Sequence, residues 1–143
     1  MRFIANGPDI PERLLQAHED GRVVFFCGAG ISYPARLPDF AGLVEKVYKA
    51  LVVTPNAVQQ AAIKAGQLDT AIGLLEDNII GRRKEALVRK ALTEILTPDL
   101  TAKNATVTHE SLLTLSKCRN GHTRLITTNF DRLFEEVIAA KSL

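Results

Sequence analysis

The chain has 143 residues, 46% apolar and 24% charged, with a net charge of +2. That balance fits one folded globular domain and argues against disorder. The small charge, with no clustered basic face, argues against a nucleic-acid partner, and no apolar run approaches the roughly 20 residues that span a bilayer.

Residues 9–20 (DIPERLLQAHED) read as a helix, with Asp9 as cap, Pro11 in the first turn and Gly21 at its end. Arg22 to Cys27 (RVVFFC) reads as a strand buried on both faces, as in a parallel sheet. Residues 28–38 (GAGISYPARLP) are a Gly/Pro-rich loop. Phe40, Leu43, Val44, Val47 and Leu51 then fall on one helical face, and Thr54-Pro55 interrupts the pattern. Residues 56–65 are a weak, Ala-rich helix. Two further helices follow: residues 67–80, with Leu68, Ile72, Leu75 and Ile79 on one stripe, and residues 83–96, with Leu87, Ala91, Leu92 and Ile95. The basic run Arg82-Arg83-Lys84 reads as the solvated start of the second of these. After the stop at Thr97-Pro98 comes a helix over 108–118, with Thr108 as cap and Ser111 in its first turn. Arg124 to Thr128 (RLITT) is a second buried strand, and Phe130, Leu133, Phe134, Val137 and Ile138 form a last amphipathic helix.

This order predicts an α/β fold: a Rossmann-like parallel sheet with helical crossovers and a mostly helical middle segment. Two strands fall short of the 5–6 of a typical sheet. The sheet is therefore expected to be incomplete, with its missing strands beyond residue 143. Residues 1–143 are expected to be a partial domain at the front of a longer protein. An open sheet edge predicts self-association, a homo-oligomer formed through that edge.

The two cysteines, Cys27 and Cys118, stand far apart and form no C-x-x-C pair, so no structural zinc or other metal site is predicted. Unpaired thiols without a signal sequence point to a reducing compartment, the cytoplasm. Cys27, at the end of an apolar strand, reads as a packing residue.

The first motif that carries chemistry is Cys27-Gly28-Ala29-Gly30-Ile31-Ser32, directly after a buried strand. Glycines there let backbone N–H groups approach and point at a phosphate. A glycine pair at a strand end also marks a plain tight turn. The ordinary dinucleotide fingerprint fails, because Tyr33 stands where its third glycine belongs and Pro34 follows. The loop continues instead to Leu37-Pro38-Asp39-Phe40. The second motif is Thr127-Thr128-Asn129-Phe130-Asp131, at the end of the second strand. An Asn there can orient water or ribose hydroxyls, since ligands of open α/β sheets bind at the strands' carboxyl ends. Asn129 and Asp131 can equally be caps of the last helix.

GAGISYPARLPDF resembles the sirtuin signature, in which GAGIS runs on to I-P-D-F-R at the same spacing. TTNFD resembles the sirtuin T-Q-N-I-D, and Thr108-His109-Glu110-Ser111-Leu112 resembles the A-H-x-A-L helix that precedes it. The three blocks occur in family order. The resemblance implies NAD as ligand or substrate. Gly28, Ala29, Gly30 and Ser32 would wrap the pyrophosphate and the neighbouring ribose. Pro38, Asp39 and Phe40 would lie over the nicotinamide ribose. Asn129 would be the catalytic residue, holding ribose and a water, and Asp131 with Ile31 would recognise the carboxamide. The chain departs from the family at Ala41, where an Arg is usual, and at the cofactor-facing Thr128, where a Gln is usual.

Those departures resemble the divergent sirtuin-like domains of bacterial defence proteins, which consume NAD. Cleaving the nicotinamide–ribose bond creates an oxocarbenium-like centre, as in glycoside hydrolysis. It demands positioning, water control and charge complementarity rather than a strong nucleophile. The resemblance therefore implies an NAD hydrolase releasing nicotinamide and ADP-ribose, with a role in antiviral defence. NAD-dependent protein deacylation and a non-catalytic nucleotide-binding or interaction module are the alternatives. Sirtuin chemistry also uses a His downstream of T-x-N-x-D, and none follows Asp131. His18, His109 and His122 read as structural or exposed residues. This polypeptide alone is expected to show little or no turnover.

Overall fold

The computed structural model describes residues 1–78 and 84–141. Ile79 of the predicted stripe and Arg82 and Arg83 of the basic run fall outside the described residues. In chain order the elements are α1 (Glu12–Glu19), β1 (Phe25–Cys27), a 3-10 helix (Ala29–Ala35), α2 (Phe40–Ala50), α3 (Ala57–Lys64), α4 (Leu68–Asn78), α5 (Lys84–Ile95), α6 (Val107–Ser116), β2 (Leu125–Thr127) and α7 (Leu133–Lys141). They form two compact units: Met1–Gly28 with Thr106–Leu143, and Ala29–Ala105. The fold is mixed α/β and mostly helical, with one small parallel sheet.

In the first unit, β1 and β2 pair in parallel with Phe25 opposite Leu125, Phe26 opposite Ile126 and Cys27 opposite Thr127. Alternation puts Phe25 and Cys27 on one face. Cys27 is 4% exposed, and Phe25 meets the edge of the His18 ring of α1 at 6.1 Å between centroids. The opposite face differs from expectation. Phe26 is 70% exposed and Ile126 51%, so the strands are not buried on both faces. A parallel sheet normally carries a layer on each side, and no described element covers these two side chains.

Local chemistry sets the helix ends. Pro11, not Asp9, stands at the cap of α1; the Asp9 carboxylate is taken by the N-terminal ammonium. Gly21 ends the helix at a φ of +66°, a conformation that favours glycine. Thr106 rather than Thr108 stands before α6, and its hydroxyl donates to Glu110 Oε1 at 2.8 Å. Thr108 lies inside the helix. On α7, Leu133, Phe134 and Val137 are buried, while Ile138 and the preceding Phe130 are exposed.

The second unit is a helical bundle. Leu43, Val44, Val47 and Tyr48 of α2 pack with Ala62 of α3, Ala71 and Leu75 of α4 and Val88 of α5. The α5 stripe is shifted by one from its expected start: Val88 is buried and Leu87 faces solvent. Helix α3 forms despite its weak pattern because Asn56 and Gln59 make a reciprocal capping box. Gln59 then works a second time: fully buried, its amide donates to the Leu74 carbonyl at 3.0 Å. Tyr48 donates to the Ala71 carbonyl at 2.7 Å, which ties α2 to α4.

Candidate functional site

The parallel pairing brings two of the sequence motifs to one end of one sheet. Gly28 leaves β1 just where Thr128 and Asn129 leave β2, and the Thr128 N–H donates to the Cys27 carbonyl at 3.1 Å. The Thr127 hydroxyl accepts the Asn129 N–H at 3.1 Å, which fixes the backbone of Asn129 as it turns off the strand. The side-chain oxygen of Asn129 is shielded from solvent. Asp131 accepts the Leu133 N–H through Oδ1 at 3.1 Å. It therefore caps α7, and the capping role considered for this residue is real.

The predicted loop is a 3-10 helix, Ala29–Ala35, with Pro34 inside it. Ser32 is buried there, while Ala29 and Ile31 are half-buried and Gly30 is exposed. Neither Gly28 nor Gly30 has a φ in the left-handed region, and a Cβ built on either meets no atom within 4 Å. The backbone conformation does not require glycine at these positions, and internal packing does not either.

In the second unit, the Pro38-Asp39-Phe40 segment opens α2. Asp39 Oδ1 accepts the Gly42 N–H at 2.7 Å and caps the helix. The other oxygen, Oδ2, accepts the Tyr33 hydroxyl at 3.1 Å, and that bond raises the Tyr33 pKa above its ordinary value. Tyr33, the residue that breaks the ordinary dinucleotide fingerprint, thus ties the 3-10 helix to the start of α2. Behind it, the Asp99 N–H donates to the Ala35 carbonyl at 3.0 Å and Arg36 pairs with Asp99 at 3.4 Å. Two hydrogen bonds from Thr101 hold the Asp99 carboxyl below its usual pKa.

His109 takes the structural place read for it from the sequence. It lies on α6, fully buried, with its ring edge-on to Phe134 of α7 at 4.8 Å between centroids. Burial lowers its pKa, and the negative charge of Asp131 opposes that shift. His18 and His122 carry the structural readings given to them: the His18 ring sits against the Leu115 carbonyl at 2.6 Å, and His122 is exposed in the turn at Gly121. Among the described residues there is no group of three or more His, Cys, Asp or Glu side chains placed to hold a metal. No described helix is long and apolar enough to cross a membrane.

No family model matches the chain, and no solved structure matches it. Among curated proteins, the chain is 37% identical over 135 residues to the uncharacterized protein y4cA of Sinorhizobium fredii (strain NBRC 101917 / NGR234), a match that takes in 94% of this chain. The chain spans 11% of the length of that relative.

Proposed function

We propose that this chain is a sirtuin-like NAD-binding domain and that the protein carrying it hydrolyses NAD to nicotinamide and ADP-ribose. The observation that carries the reading is the pair of glycines at Gly28 and Gly30. They occupy positions where the chain's own conformation and packing would accept a side chain. The free space next to their backbone is what a phosphate needs for close approach to main-chain amides. The placement of Gly28 beside Thr128 and Asn129, at the carboxyl end of a parallel pair, supports the same reading, because open α/β sheets bind ligands at that end.

In this reading Gly28, Ala29, Gly30 and Ser32 bind the pyrophosphate and a ribose. Pro38, Asp39 and Phe40 lie over the nicotinamide ribose. Asn129 orients ribose and water at the bond to be cut, beside Thr128, and Asp131 with Ile31 takes the carboxamide. Titration of the chain with NAD in a calorimeter tests binding: saturable heat is expected, and none overturns it. Nicotinamide release by the intact gene product, with and without an acylated peptide, tests the reaction. Peptide-independent release that Asn129→Ala abolishes is expected. Strict dependence on the peptide would make the protein a deacylase instead.

A further inference from the structure

We propose that His109 is a positioning residue for Asp131: packed against the first turn of α7, it sets the pose of that carboxylate and so the grip of the domain on the amide end of a dinucleotide. The inference rests on the NAD-binding reading above and adds a residue to it.

Burying an imidazole is costly unless its polar atoms are used, and a position needing only volume is better filled by Phe or Leu. His109 is nonetheless 0% exposed. Its ring meets Phe134, three residues after Asp131, on the same first turn of α7 that Asp131 caps through the Leu133 N–H. The ring and the carboxylate therefore converge on one turn of helix from two elements. Capping commits Oδ1 of Asp131, so the direction of Oδ2 depends on what surrounds it. The Asp131 charge acts on the ring, while burial acts more strongly and keeps the imidazole neutral near pH 7. A neutral imidazole still offers one donor and one acceptor, which Phe and Leu lack. Elsewhere on α6 and α7, Glu110 accepts from Lys141 at 2.6 Å and from Thr106 at 2.8 Å, and Arg132, Glu135 and Glu136 are the remaining charged side chains at the start of α7.

Two measurements on the full chain decide the matter. In the first, NAD is titrated into wild type, His109→Phe, His109→Gln, Asp131→Asn and the His109→Phe/Asp131→Asn double variant. His109→Phe keeps the ring packing and is expected to weaken binding about tenfold, the size of one lost hydrogen bond. His109→Gln, which restores a donor and an acceptor, should recover most of the loss, and His109→Phe should add little in the Asp131→Asn background. Wild-type binding by His109→Phe, or losses that multiply in the double variant, would overturn the proposal. If His109→Phe fails to fold, His109→Leu and the His109→Leu/Asp131→Asn double variant carry the same cycle. In the second measurement, the His109 ring is titrated by NMR without NAD. Its pKa should fall further in Asp131→Asn, where the opposing charge is gone, and an unchanged titration would overturn the pairing. A wild-type chain that binds no NAD would overturn the functional reading, and the ring titration would still decide whether the two residues are coupled.

Discussion

Replacing Gly30 by Ala should move stability and binding in opposite directions, and that opposition is what the site reading predicts. The φ of Gly30 lies outside the left-handed region, and the new methyl would meet nothing within 4 Å. Ala therefore narrows the unfolded ensemble without straining the native one, a gain of about 0.4–1 kcal/mol. For a chain of this size that raises the melting temperature by roughly 2–6 °C. The same methyl stands where a pyrophosphate would rest on the backbone. Losing one charge-assisted hydrogen bond there costs roughly 1.5–3 kcal/mol, a fall in NAD affinity of about 10- to 100-fold. Gly28→Ala should behave alike. Thermal melts followed by circular dichroism and calorimetric titration with NAD measure the two effects on one sample. A variant that melts well below wild type would show that the glycine serves the turn. A variant that binds NAD as wild type does would remove the loop from the site.

Other outcomes follow from the same structure. Val52, 91% exposed, closes α2 at a φ of +55°, which is unfavourable for a β-branched residue. Val52→Gly should raise stability by about 1 kcal/mol, and an unchanged or lower melting temperature would contradict that strain. His109 has a folded pKa below its ordinary 6.5, so the unfolded chain takes up a proton first. Its contribution to stability should be level above that pH and fall as pH drops below it, a slope that His109→Phe removes. Denaturant melts across pH 5–8 check this; the carboxylate of Glu110, whose pKa is lowered first by its bond to Lys141, acts only below 4.5. The uncovered apolar pair Phe26 and Ile126 predicts self-association. Sedimentation should show a concentration-dependent species that Phe26→Lys dissolves, and a dilution-stable wild-type monomer would refute it.

Much of this was readable because it rests on local chemistry. The α2 stripe, the Gly21 stop and the two strands each follow from a period or a residue with one conformational use, and their places agree with the structure to within a few residues. The exposed side of the sheet was not readable, since VVFFC and RLITT look alike whether a second layer is present or absent. Pattern alone also misplaced the caps of α1 and α6. Asp9 was claimed by a distant charge, the N-terminal ammonium, and Thr106 competed with Thr108 two residues on. At the candidate site, the motifs single out residues but not the ties between them. The Tyr33–Asp39 bond and the burial of His109 against Phe134 are tertiary facts. Of the local ties, the Thr127-x-Asn129 turn could have been found from spacing.

The most direct test is an amide-resolved NMR titration of the labelled chain with NAD. The account predicts saturable shifts at Gly28, Gly30, Ser32, Asn129 and Asp131. Shifts confined to α3, α4 and α5, or none at all, would contradict it.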